Sequence, residues 1–280
     1  MDNKEIIFKT AIGLSGSLVL LTGFYYGYTT NRLGIKNQVT KEVTRNVVNL
    51  VPKELVIKKN ERIRIAKQIM RETQVHEGIQ KQGFISIPKC GILLPIFDNE
   101  NDYKGLDFGA VYANRSAEDV NGKKKPIFGE SNYCLASHNF NDGLTGFSPL
   151  QEIISSDYPY LVNGTKSESK WLNGEKIYLA NEEMVYEYTI DRQFIVNKTD
   201  ISVLNSSNTP KVTIITCLYP SDQYRIITSA TLTNQYSINS APTEVINLFD
   251  LEKQKTNVYK KFDFNKGIEE GVNGDAGGSK

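Results

Sequence analysis

The chain has 280 residues, 39% of them hydrophobic, and a formal net charge of +1. That is apolar material for one packed domain with appendages, and the balanced charge gives no basic face of the kind a nucleic-acid partner requires. Three cysteines without a C-x-x-C spacing, and two unclustered histidines, argue against a structural zinc site.

Residues 11–28 carry no charge and are apolar or small. With Ile6-Ile7-Phe8 ahead of them they approach the roughly 20 residues that span a bilayer as a helix. Tyr25, Tyr26 and Tyr28 suit the outer interface. A signal peptide would need a small-residue cleavage site after the run, where bulky aromatics stand instead. Lysines and arginines flank both ends, so charge does not set the orientation; a short stub is most easily kept inside. The expectation is a cytoplasmic stub and transmembrane anchor over 1–35, with the body outside the cell. Residues 36–80 read as a helical stalk or a helix packed on the body. Its segment 58–71 is charged with a thin apolar stripe, and Pro52 breaks or starts a helix there.

From Gly83 the period changes to that of strands. Phe84, Ile85 and Ile87 precede Pro88, and Ile92 to Phe97 follow. Further strands are predicted over 133–136, 176–180, 184–191, 211–217 and 225–233. Fifteen tyrosines and twelve phenylalanines fit this reading. Short strands at such spacing favour a closed or nearly closed β-barrel over 81–250. Two long loops are expected, 98–125 and 153–174. Residues 251–280 read as a largely disordered extension, Gly- and Asp-rich at its end.

One strand, Val212 to Cys217, ends on a cysteine, and the next opens on Arg225. A thiol attacks as its thiolate and needs a base or a cationic neighbour. His138 can exchange a proton near neutral pH, and Arg225, always protonated, suits an oxyanion. The three together describe acyl transfer through a thioester. Each also has a bland reading: a strand-end core residue, a satisfied loop histidine and an edge-strand charge. Cys90 and Cys134 read as small core hydrophobes, and His76 as a surface histidine. No aspartate is obviously placed to orient His138.

These segments also carry a resemblance. Val212 to Cys217 resembles the T-L-x-T-C signature of the sortases, the membrane-anchored cysteine transpeptidases of Gram-positive bacteria. Arg225-Ile226-Ile227 resembles the arginine strand that follows it. Gly129 to Asn139 resembles the G-x-x-N-Y-x-L-A-G-H motif, with Ser137 in place of its last glycine. Ile87-Pro88, Leu94 to Phe97 and Phe147 to Leu150 match framework segments, so the likeness covers roughly 83–232 in the family's order. It implies a mainly β, eight-stranded sortase-type barrel with short helices, and a nucleophile at Cys217. It further implies a general acid/base at His138 and a transition-state stabiliser at Arg225. Pro95, Ala136, Thr213, Ile215 and Thr216 are implied as substrate-binding positions.

The implied partners are surface proteins with an L-P-x-T-G-like sorting signal and a cell-wall precursor amine. Class A is the nearest type, on the N-terminal anchor, the absence of a C-terminal span and the lack of a D-P-x lid motif. No cofactor is required; calcium is the option, through Asp98, Glu100, Asp102 and Asp107, acids that solubility also explains. The long 153–174 insertion keeps a pilus-polymerising or specialised sortase as an alternative. A wall-associated β-domain without chemistry is the other.

Overall fold

The computed structural model describes residues 53–69, 80–98 and 103–259. The chain divides into two units between Lys59 and Asn60. Of the first, only the opening of helix α1 (Lys53–Ile69) is described. The expected anchor, Pro52, His76 and the end of the C-terminal extension lie outside the described residues, among which no helix is long and apolar enough to cross a membrane.

Eight strands form the body: β1 (Lys81–Ile87), β2 (Ile92–Phe97), β3 (Ala110–Tyr112), β4 (Asn132–Ala136), β8 (Lys176–Ala180), β9 (Met184–Asn197), β10 (Lys211–Cys217) and β11 (Tyr224–Ser237). Three two-residue strands, β5 (Leu161–Val162), β6 (Thr165–Lys166) and β7 (Glu168–Ser169), lie between β4 and β8. The order runs β11-β10-β4-β3-β2-β1-β8-β9, and β9 pairs back onto β11, so the sheet closes into an eight-stranded barrel. That closing pairing extends from Tyr224↔Asn197 to Ser237↔Met184, with register shifts at Ser229/Ala230 and Leu232/Asn234. Such shifts sharpen the bend that closure needs. The β2–β3 and β4–β10 pairs are parallel and the others antiparallel.

The sequence alternation explains which faces are filled. Val212 and Ile214 on β10, Tyr133 and Leu135 on β4, and Tyr188 and Ile190 on β9 belong to one buried cluster inside the barrel. A second cluster lies outside it. Ile65 and Ile69 of α1 pack there with Phe84, Leu93 and Val185, alongside Val245 of α3 (Thr243–Asn247) and Phe249. Arg62 donates from Nη1 to the carbonyls of Ile238 at 3.0 Å and Ala241 at 2.6 Å, and Arg64 pairs with buried Asp250 at 2.9 Å. Arg62 and Arg64 therefore tie this part of the helix to the segment around Ile238–Asp250.

The two expected loops are more ordered than their composition suggests. The 98–125 stretch contains α2 (Tyr103–Phe108) and β3, a full member of the barrel between β2 and β4. Three residues are too few for an alternation to be read from sequence. The 153–174 stretch contains β5 to β7 and is docked through Gln193 of β9. Gln193 Oε1 accepts from Tyr160 Oη at 2.7 Å and Trp171 Nε1 at 3.0 Å, while its Nε2 donates to Leu150 O and Thr228 Oγ1. All of the amide's bonds are satisfied at full burial. The chain also stays on the body past residue 250: Leu251 and Val258 are buried, and Asn257 Oδ1 accepts from Leu93 N at 2.9 Å.

The packed α1 makes a prediction. Ile65→Ala removes a side chain that is 1% exposed, and should lower unfolding free energy by about 2–5 kcal/mol in urea titrations. Ile63→Ala, at a residue 39% exposed on the same helix, should change it by less than about 0.5 kcal/mol.

Candidate active site

β10 lies between β4 and β11, and this placement assembles the site. Cys217, the last residue of β10, is directly opposite Arg225, the second residue of β11. Opposed residues of an antiparallel pair point to the same face. Two residues back, Ile215 is opposite Ile227 on one side and Ala136 on the other. The interior face of β10 carries Val212 and Ile214, so Cys217, Ile215 and Arg225 lie on the outer face. β4 ends at Ala136, but its alignment with β10 continues one residue further. Ser137 N donates to Ile215 O at 3.4 Å, and Thr216 Oγ1 donates to Ser137 O at 3.0 Å. The next residue is His138.

His138 has a carboxylate partner. Its Nε2 is 3.2 Å from Asp107 Oδ1, on α2. The expectation that no aspartate orients the histidine is therefore corrected. Asp107 lies 31 residues upstream and reaches the ring only because β3 is inserted next to β4. The carboxylate accepts from Nε2–H and so favours the tautomer that leaves Nδ1 for proton exchange. Ser137 anchors the same segment, its Oγ donating to Gly109 O at 2.6 Å. A Cβ at Gly109 would collide with the carbonyl of Pro95, so glycine is what lets α2 approach β2 this closely. Ring packing extends outward from His138: Phe140 is 5.3 Å away, edge-on, and Tyr259 is 4.9 Å from Phe140.

The guanidinium of Arg225 is held by its own hairpin, Nη1 donating to the carbonyls of Tyr224 at 3.0 Å and Asp222 at 3.4 Å. Its other N–H groups keep a positive fork on the strand directly opposite Cys217. Cys217 and Cys90 are partly exposed, and Cys134 is buried. Burial pushes both Cys90 and Cys134 from the ordinary 9.0 to about 12, and Lys89 and Lys211 only partly offset it. They fit the reading of core cysteines.

The remaining sequence-predicted positions separate. Ala136 and Ile215 are partly exposed on the Cys217 face. Pro95 is buried under Gly109. Thr213 is 1% exposed, its hydroxyl given to Asn132 Oδ1 at 2.7 Å, and Thr216 is 2% exposed with its hydroxyl bonded to Ser137 O. Their hydroxyls stitch β10 to β4 rather than face a groove. Of the acids considered for calcium, Glu100 and Asp102 lie outside the described residues. Asp98 accepts from Gln80 N, and Asp107 faces the imidazole. Among the described residues no three His, Cys, Asp or Glu gather as a metal site.

A strand-end cysteine opposite an arginine, with a carboxylate-paired histidine at the same rim of an eight-stranded barrel, is an arrangement that cysteine acyl-transfer chemistry can use. The chain belongs to the sortase family: the Sortase domain model matches residues 85–233, more than half of it. It is 26% identical to sortase A of Listeria monocytogenes over 140 residues, 50% of this chain and 50% of that protein. It is 28% identical to sortase A of Streptococcus agalactiae over 183 residues, 63% of this chain and 62% of that one. The chain thus spans about half to three-fifths of these relatives. The crystal structure of Listeria monocytogenes sortase A is also similar, with a TM-score of 0.44 and 23% identity, covering 59% of this chain and 94% of that chain.

The thiol environments predict a selective modification. Iodoacetamide at neutral pH should alkylate the folded protein once, at Cys217, and three times after denaturation, counted by mass spectrometry. The buried thiols also set an alkaline limit. In the unfolded chain they ionise near 9.0 and in the folded one near 12. The unfolded state thus binds fewer protons in that window, and stability should fall as pH rises from about 9 towards 12. Replacing Cys90 and Cys134 by Ala should flatten that slope in denaturant titrations.

Proposed function

We propose that this protein is a sortase-type transpeptidase that works through a thioester on Cys217. The observation that carries the reading is the cross-strand pair Cys217–Arg225, with His138 held by Asp107 beside it, in a chain of the sortase family. The Cys217 thiolate attacks the carbonyl carbon of the threonine in an L-P-x-T-G-like signal. Arg225 stabilises the oxyanion as it forms. The Thr–Gly C–N bond then breaks, and His138 gives a proton to the departing amine. An acceptor amine attacks the thioester and yields its proton to His138, and the sulfur leaves as thiolate. Asp107 is a positioning residue, keeping Nδ1 of His138 as the exchanging atom throughout.

The substrates we infer from membership of the family are surface proteins with C-terminal sorting signals, and an amine on the cell-wall precursor. Class A is the type we favour, with residues 11–28 as the anchor and the barrel outside the membrane. The charge-free apolar run supports that placement.

The test uses the full chain in detergent, L-P-x-T-G-like peptides and a small amine. A thioester on Cys217 should be trapped, and should be absent from Cys217→Ala. Folded protein that cleaves none of these peptides would sink the reading. Arg225→Lys should lower kcat by about 100-fold or more while peptide binding changes little, because one developing charge loses a bidentate donor. Asp107→Asn should lower kcat by at least about tenfold with KM nearly constant, since the amide can present a donor to Nε2 and favour the wrong tautomer.

A further inference from the structure

Two buried side-chain amides bracket the nucleophile. Asn139 follows His138 in the chain and is 5% exposed. Its Nδ2 donates to Cys217 O at 2.8 Å and to Gln151 Oε1 at 2.8 Å. Gln151, also 5% exposed, grips the chain beyond the nucleophile: Tyr219 N donates to its Oε1 at 2.9 Å, and its Nε2 donates to Tyr219 O at 2.7 Å. The same Nε2 also reaches Ile153 O and Ser156 O, each at 3.0 Å. The far side of Asn139 is fixed as well, since its Oδ1 accepts from Asn141 N, and Phe147 N donates to His138 O, both at 2.8 Å.

We propose that Asn139 and Gln151 are positioning residues that set the separation between the Cys217 thiol and the His138 imidazole. The inference rests on the roles proposed for those two groups. The ladder that aligns β4 with β10 stops at Ser137, one residue short of the histidine and two short of the carbonyl of the nucleophile. Beyond it, the Asn139 amide is the described hydrogen bond that joins the histidine segment to the cysteine segment directly. Gln151 then prevents the Cys217–Tyr219 segment from swinging away, by holding both backbone groups of Tyr219. Each amide is engaged at both ends and shielded from water, so neither orientation nor length can drift without orphaning a buried polar atom. A reacting pair displaced by about 1 Å loses roughly a hundredfold in rate, so fixing this gap has direct kinetic weight.

The test is Asn139→Asp, which keeps size and shape but turns a donor into an acceptor facing two carbonyl-type oxygens. We expect kcat for peptide cleavage to fall by about 10- to 100-fold with KM changing less than about threefold. The pH profile of Cys217 alkylation by iodoacetamide should also be displaced, because the thiol and imidazole no longer share their native geometry. A merely architectural role would lower the urea midpoint and leave the alkylation profile of the folded fraction unmoved. Unchanged kcat and an unchanged profile in folded Asn139→Asp would overturn the proposal. Gln151→Ser reads the same link from the Tyr219 side if the first variant does not fold, with the same two outcomes deciding. Alkylation needs no sorting peptide. A wild-type protein that alkylates at Cys217 but cleaves nothing would therefore overturn the transpeptidase reading alone, leaving the positioning of the pair to be decided by the profiles.

Discussion

The pairing of β10 with β4 on one side and β11 on the other is the constraint on which the site depends. An antiparallel partner places Arg225 opposite Cys217. A parallel partner carries the chain in the same direction as β10, so both strands end at the same rim of the barrel. The histidine, 79 residues before the cysteine in sequence, arrives there because β4 and β10 stop together. A shift of one residue in either register would turn Cys217 inward to the core. The filled interior, with Val212, Ile214, Tyr133 and Leu135 against one another, makes that shift costly.

Around this rim the protein uses polar side chains for alignment and burial for selectivity. Thr213, Thr216 and Ser137 hold β10, β4 and the Gly109 segment together by hydroxyl bonds. The carboxylate of Asp107 is delivered on a short helix whose approach depends on a glycine packed against Pro95. Meanwhile desolvation holds the Cys90 and Cys134 thiols neutral, whereas Cys217 stands at the strand end opposite Arg225. One sequence thus gives chemically identical side chains different surroundings.

The connection from core to chemistry also runs through long polar loops. Buried Gln193 of β9 holds Tyr160 and Trp171, which seats the 153–174 segment. Gln151, at the start of that region, holds Tyr219 and through Asn139 meets the histidine segment. Two buried glutamines are therefore the polar fasteners between the β-scaffold and the loops that flank Cys217.

The sequence by itself determined the strands with clear alternation, the strand-end cysteine and the arginine opposite it. These are local facts: Cys217 and Arg225 are eight residues apart on one hairpin, and Val212 to Cys217 is a short β-branched run that ends on the cysteine. The histidine was legible as chemistry and through a motif, not through spacing. What only the tertiary structure decided was everything that joins distant segments. Asp107 was one exposed-looking acid among several, Asn139 and Gln151 were ordinary loop amides, and β3 was three residues in a polar stretch. Thr213 and Thr216, implied as substrate-binding positions by the family resemblance, are buried with their hydroxyls bonded to Asn132 and Ser137. Hydrophobic periodicity records which residues face the core, whereas a hydrogen bond between polar side chains depends on which strand lies next to which, and composition carries no trace of that.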